Sequence, residues 1–200
     1  HPRYVTPYRR GEKNDANDAA AICEAAQRPD MRFVRLRSQH QSDIQSLHRV
    51  RGGMVAEKTA VLNRARALLA ENGIVMPQGP ANFFAQVPAI IEDPANGLSE
   101  MMRQLLRLQY SHLSDLRNRV LELDQMLNTL AEEEESCKRL MQIPGVGVIT
   151  ATLLSSELGD GAGFANGRAF AAYLGLTPRQ HSSGGKNVLL GITKRGNKYL

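Results

Sequence analysis

Residues 99–131 read SEMMRQLLRLQYSHLSDLRNRVLELDQMLNTLA. Within them Met102, Leu106, Leu113, Leu116, Val120, Leu123, Leu127 and Leu130 advance by alternating steps of three and four, broken only where Gln109 falls in the register. Such steps return to one side of an α-helix, so the spacing predicts a single long helix with a coiled-coil seam. About thirty residues at 1.5 Å each make a rod of ~45 Å, too long for so small a chain to bury alone. The seam therefore needs a partner, either the helix expected over roughly Gln41 to Glu71 or a second subunit. That earlier helix carries Ile44, Leu47, Met54, Val61, Ala65 and Leu68 on one broad stripe, with Gly52-Gly53 as a weak point or bend and Asn72-Gly73 as its end.

Working outward, residues 73–98 hold four prolines and three glycines and read as a linker with at most one short helix around Ala81 to Gln86. Tyr4-Val5-Thr6-Pro7-Tyr8 reads as the end of a strand leaving through its proline, and Arg9-Arg10-Gly11 as a basic loop. A helix capped by Asn14 or Asp15 follows, rich in alanine through Ala26 and stopped by Pro29. Phe33-Val34-Arg35-Leu36 is a brief strand or an extended connector. The expected fold class is mainly α.

Composition narrows the options further. With 42% hydrophobic and 22% charged residues the chain is neither disordered nor collagen-like. No window approaches the ~18 apolar residues of a membrane span, and no leader pattern opens the sequence. Cys23 and Cys137 lack zinc spacing and are too few for a disulfide scaffold, which fits a reducing cytoplasm. The start at His1 and the stop in mid-pattern after Lys194-Arg195-Gly196-Asn197-Lys198-Tyr199-Leu200 give the expectation of an internal fragment. The net charge of +5 divides into +6 over residues 1–70, −7 over 71–136 and +6 over 137–200. Two basic blocks around an acidic middle are the footprint of a polyanion binder, although a high pI also occurs in proteins that touch no nucleic acid. The run Glu132-Glu133-Glu134-Glu135 points all round a helix and is expected to be a solvated helix end rather than a metal site.

Three stretches can carry chemistry. In Leu140-Met141-Gln142-Ile143-Pro144-Gly145-Val146-Gly147-Val148, a basic helix runs into a glycine turn and a second apolar helix, the pattern of a helix-hairpin-helix element. Gly145 and Gly147 permit the tight turn and leave the next helix's first N–H groups open to a phosphate oxygen. An ordinary helix connection is the bland reading; a dinucleotide loop is disfavoured because a helix precedes it and Thr150 stands at the third glycine position. In Lys13-Asn14-Asp15-Ala16-Asn17-Asp18-Ala19, two aspartates three apart share a helix face and suit a divalent metal such as Mg²⁺, or simply the positive end of the helix dipole. The third stretch is Tyr173-Leu174-Gly175-Leu176-Thr177-Pro178-Arg179-Gln180-His181-Ser182-Ser183-Gly184-Gly185-Lys186, followed by Gly191-Ile192-Thr193-Lys194-Arg195-Gly196. Its serines lie in a glycine-rich basic loop that can bind phosphate or attack it, and equally can be structural turn residues. His181 beside Ser182 is no dyad on adjacency alone.

In this order the stretches resemble the DEDD transposases of insertion-sequence family 110, its 1111 subgroup in particular, relatives of the Piv invertase. YVTPY before KNDANDA, AICEAAQRP, Leu47-His48-Arg49-Val50-Arg51, Asn72-Gly73-Ile74, IPGVG, and YLGLTPRQHSSGGK with GITKRG carry the resemblance over practically all 200 residues. It implies an amino-terminal RuvC-like domain, with an RNase-H-type sheet, whose four acidic residues bind Mg²⁺. Asp15 and Asp18 match the last two of these. The first aspartate and the glutamate belong upstream of His1, so this chain alone is expected to be inert. The family's carboxy-terminal transposase domain supplies a serine that links covalently to cleaved DNA, and Ser183 matches by its Ser-Gly context, with Ser182 as the alternative. Arg179, Lys186, Lys194 and Arg195 are then expected to hold phosphates, and Gly145 and Gly147 to contact nucleic-acid backbone.

The same resemblance implies recombination guided by an element-encoded RNA and a homo-oligomer, a dimer or tetramer, pairing the acids of one subunit with the serine of another. The expected setting is the bacterial cytoplasm and nucleoid, with no membrane partner. The expected division is residues 1–72 as the end of the RuvC-like α/β domain and its following helix, 73–136 as linker and coiled coil, and 137–200 as a helical transposase domain with the hairpin element and serine loop. A noncatalytic helix-hairpin-helix DNA-binding module and a metal-dependent nuclease without strand joining are the competing readings.

Overall fold

Tyr4-Val5-Thr6-Pro7-Tyr8, expected as a strand end, is helical instead: α1 spans Pro2–Val5 and a 3₁₀ turn follows over Thr6–Tyr8. Each of these turns has a proline at its start, where its fixed φ suits a helix and its missing N–H costs nothing. A strand would also need a neighbour for its backbone. Among the described residues the two strands present pair with one another, and the Thr6 hydroxyl donates to the Pro2 carbonyl at 2.8 Å inside the helical turn. The computed structural model describes residues 2–29, 31, 33, 36–159, 161–193 and 196. It divides into two compact units, His1–Ser38 and Gln39–Leu200. The Phe33–Leu36 strand or connector falls largely outside the described residues.

In the first unit α2 spans Asp15–Ala26. Of the two possible caps it uses Asn14, whose side-chain oxygen accepts from the Asn17 N–H at 2.8 Å. Ala21 and Ala25 are its buried residues. Arg28 lies over the Tyr8 ring at 5.5 Å and pairs with Glu24, closing the far end of α2 against the 3₁₀ turn.

The second unit begins with α3, Gln39–Glu71, which runs unbroken through Gly52-Gly53. The helix continues through the expected weak point, with Ile44 and His48 buried before it and Val61 and Ala65 after it. Asn72-Gly73 ends α3 as expected: Gly73, at φ +78°, donates to Ala70 and Ile74 donates to Leu69, satisfying two orphan carbonyls. The stretch expected as a linker holds α4, Pro80–Glu92, thirteen residues long. Phe83, Val87 and Ile91 on its inner face are buried in the main core. Pro88 lies inside α4 without ending it. Arg103 caps the helix from outside, donating to the Ile91 carbonyl at 2.5 Å and to Asn96 Oδ1 at 2.8 Å.

The long seam helix is α5, Glu100–Glu133, capped by Ser99. Leu106, Leu113, Leu116, Val120 and Leu127 of the seam are buried. Their partner is α3 of the same chain: Arg51 pairs with Asp124 and Glu57 with His112, so the two helices run antiparallel. At Glu134 the chain leaves the helix, and α6 (Glu135–Met141) and α7 (Val148–Leu158) follow as a short pair. α7 packs on both long helices, and His48 meets Thr152 at 3.0 Å in a buried contact. α8, Gly167–Tyr173, is capped by Asn166 and tied back to α7 by the Tyr173 hydroxyl, which donates to Glu157 at 2.6 Å. An antiparallel hairpin closes the described chain, β1 over Pro178–Ser183 and β2 over Lys186–Ile192. Mainly α is therefore the observed class, and no described helix is long and apolar enough to cross a membrane.

Candidate functional site

Asp15 and Asp18 stand at the first and fourth positions of α2, one turn apart. Asp15 is exposed, while Asp18 is half-exposed and pairs with Arg9 at 3.4 Å. The Asn14 cap sets the start of the helix and hence the facing of both carboxylates, and Asn17 between them donates to the Glu12 carbonyl. Arg9 was missed as part of this arrangement. Its signal was the Arg9-Arg10-Gly11 loop just before an acidic turn, because two adjacent carboxylates draw a cation. Among the described residues no three His, Cys, Asp or Glu converge as a metal cage. The pair does fit Mg²⁺ as a partial donor set: hard oxygens, accessible, with room for the waters this ion retains.

The glycine turn joins α6 to α7. Gly145 adopts φ +88°, which a side chain would strain. Gly147 lies in ordinary extended backbone at the N-cap of α7 and makes no side-chain cap. A Cβ at Gly147 would meet nothing within 4 Å, so neither dihedral nor internal packing demands a glycine there. Leu140, Met141, Val146 and Val148 tuck the turn onto Ala131, Cys137 and Ala151, leaving Ile143, Pro144, Gly145 and Gly147 exposed.

The serine loop is a β-ribbon rather than a loop. Gly184 and Gly185, at φ +57° and +80°, make the two-residue turn that matches strand twist. The Gly-Gly pair between alternating residues was the available signal. Ser183 faces Lys186 across the turn, His181 pairs with Val188, and Ser182 with Asn187. The Gln180 amide donates to the Ser182 hydroxyl at 2.7 Å and reaches Asn187 Oδ1 at 3.3 Å. The Ser183 hydroxyl makes no side-chain hydrogen bond among the described residues, and every position of both strands is exposed. Arg179 and Lys186 lie on this ribbon; Lys194 and Arg195 lie outside the described residues.

The glutamate run is a helix end with Glu132, Glu133 and Glu135 exposed, as expected, and one residue of it departs from that reading. Glu134, expected to be solvated, accepts from His40 at 2.6 Å and from Ser155 at 2.9 Å, with Cys137 Sγ at 3.5 Å. Burial pushes its carboxyl up, but these hydrogen bonds outweigh it and the net shift is downward. The same burial, with Glu134 adjacent, raises the Cys137 thiol. Burial and the nearby Arg51 hold His48 below the usual imidazole value.

Residues 137–200 match the transposase IS116/IS110/IS902 family, and residues 1–73 match the DEDD transposase profile of the IS110 group. The chain is 42% identical over 199 residues to the transposase for insertion sequence element IS1111A of Coxiella burnetii, aligning all of itself with 55% of that protein. It is 43% identical over 201 residues to the transposase for IS1328 of Yersinia enterocolitica, again along its full length and 59% of the relative. A 60-residue stretch is 38% identical to the pilin gene-inverting protein of Moraxella bovis, covering 30% of this chain and 19% of the other. The chain thus spans a little over half the length of the insertion-sequence relatives it matches. With transposase profiles matching both its amino-terminal and carboxy-terminal segments and these relatives running its whole length, the chain belongs to the IS110/IS116 family of insertion-sequence transposases.

Proposed function

We propose that this chain is part of an enzyme that cuts and rejoins DNA strands during transposition, with Ser183 as the nucleophile. The observation that carries the reading is that the transposase matches run over both candidate sites, the acidic pair in residues 1–73 and the ribbon in 137–200. In the proposed division, residues 1–72 are the end of a RuvC-like DEDD domain, 73–136 a helical spacer, and 137–200 the transposase domain. Asp15 and Asp18 are two of the metal ligands, completed by acidic residues elsewhere in the whole protein. Bound there, Mg²⁺ would supply a Lewis acid against phosphate oxygens.

The chain's own residues do the rest. The Ser183 hydroxyl, free at the ribbon tip, attacks phosphorus; one P–O ester bond breaks as the Oγ–P bond forms, and the phosphoester energy is kept for rejoining. A relative named for inverting a gene supports rejoining as well as cutting. Arg179 and Lys186 hold neighbouring phosphates, with Lys194 and Arg195 in the same role. α6, the glycine turn and α7 act as a helix-hairpin-helix element whose first α7 amides meet a backbone phosphate, which gives Gly147 a reason to lack a side chain. A structured guide RNA, a dimeric or tetrameric assembly and a nucleoid location in the bacterial cytoplasm complete the proposal.

The test is covalent capture of target DNA by the full-length protein in Mg²⁺. Ser183→Ala is expected to abolish the adduct and keep DNA binding, Ser182→Ala to retain the adduct, and Asp15→Asn or Asp18→Asn to abolish cleavage. Capture surviving Ser183→Ala refutes the nucleophile, and cleavage surviving both aspartate changes refutes the metal site. Binding without cleavage by the unaltered protein favours a noncatalytic module.

A further inference from the structure

We propose that His181 is the general base for Ser183, acting from the same face of the ribbon while Lys186 holds the attacked phosphate; this rests on Ser183 being the nucleophile. A serine hydroxyl is a weak nucleophile at neutral pH and needs a neighbour to accept its proton. Sequence adjacency pairs His181 with Ser182, but the ribbon reverses that pairing. Successive residues of a strand point to opposite faces, and directly paired residues share one face. The observed register puts Ser183, Lys186, His181 and Val188 on one face and Ser182, Asn187, Gln180 and Leu189 on the other. The hydrogen bonds from Gln180 to Ser182 and Asn187 are possible only with those three side chains together, and they engage the Ser182 hydroxyl.

On the opposite face, residues two apart are separated by about 6.6 Å along the strand, and directly opposite Cβ atoms by about 5 Å. An imidazole can span most of the first gap; no His181–Ser183 hydrogen bond forms among the described residues, and in the proposal bound substrate brings the ring to the Ser183 hydroxyl directly or through one water. Lys186 stands opposite Ser183, where an ammonium meets the non-bridging oxygens of the phosphate under attack. The site is open to so bulky a substrate: His181, Ser183 and Lys186 are exposed, and nothing lies within 4 Å of a Cβ built at Gly184 or Gly185. The proton balance closes within the ribbon. The Ser183 proton passes to an imidazole nitrogen as Oγ–P forms, and the imidazolium returns it to the oxygen released from phosphorus.

Single-turnover covalent capture of cleavable DNA by the full-length protein tests this, with His181→Ala, His181→Gln and Ser183→Ala side by side. His181→Ala is expected to slow capture by about 100-fold or more at unchanged DNA affinity. Added imidazole should restore a large part of the rate, and His181→Gln, which keeps polarity without a base, should stay slow. Capture within about threefold of the unaltered protein in His181→Ala, while Ser183→Ala is dead, overturns the base and leaves the nucleophile standing. Slow capture that imidazole does not rescue assigns His181 a structural role and overturns it too. An adduct persisting in Ser183→Ala removes the nucleophile and this proposal with it.

Discussion

Phe83→Ala separates a buried α4 from a solvated linker more sharply than any other change. Phe83 is 0% exposed, stacks on Tyr110 at a centroid distance of 6.3 Å and meets Phe84 edge-on at 6.1 Å. Deleting a fully buried phenylalanine ring costs about 3–5 kcal/mol, part transfer and part cavity. The two ring contacts place this site toward the upper half of that range, since each such pair adds ~0.5–1.5 kcal/mol beyond area. With a urea slope of roughly 2 kcal/mol/M, the unfolding midpoint of the Gln39–Leu200 unit should fall by about 2 M. Far-UV circular dichroism in a urea titration reads this directly. Val75→Ala, at a position 84% exposed, is the control and should stay within about 0.5 kcal/mol. A Phe83→Ala shift no larger than that of the control would mean that α4 does not sit in the core.

Acid should weaken the fold in two steps. His48 is held below its ordinary value of 6.5, so the native state binds fewer protons than the unfolded chain; its contribution is full above that pH and is lost as pH falls below it. Glu134 is likewise lowered from 4.5, and its contribution is present above that value and lost as pH falls through the folded one. Urea midpoints against pH should lose the upper step in His48→Gln and the lower in Glu134→Gln; unchanged profiles refute the assignments. Asn14→Ala should cost about 1 kcal/mol and speed amide exchange in the first turn of α2, and unchanged exchange at Asn17 would deny the cap. Gly184→Val, at φ +57°, should open the hairpin and remove the close Ser182–Asn187 α-proton contact seen by NMR, whereas a persisting contact would mean the turn tolerates a branched side chain.

Much of the helical framework was legible in the chain itself. The run from Met102 to Leu130 reports its own buried side, Asn14 its own cap and Asn72-Gly73 its own stop, because each signal lies within a turn or two of the residues that answer it. The acidic pair was legible as a pair for the same reason, since a three-residue step on a helix is a fixed geometry. Proline and glycine density misled over residues 73–98, where Phe83, Val87 and Ile91 outweigh it by burying an apolar face. The glutamate run misled at Glu134 alone, because composition does not tell which of four carboxylates leaves the helix.

What the sequence determined, then, are the features set by neighbours: helix faces, caps, turn glycines and the two basic blocks about an acidic middle. What the tertiary structure decided are those set by residues far apart. The choice of α3 as the partner of α5, the burial of His48 against Thr152 and the capture of Glu134 by His40 each join positions 73 to 104 residues distant. Local preference cannot carry that information: pairing and burial are settled only when distant surfaces displace water between them.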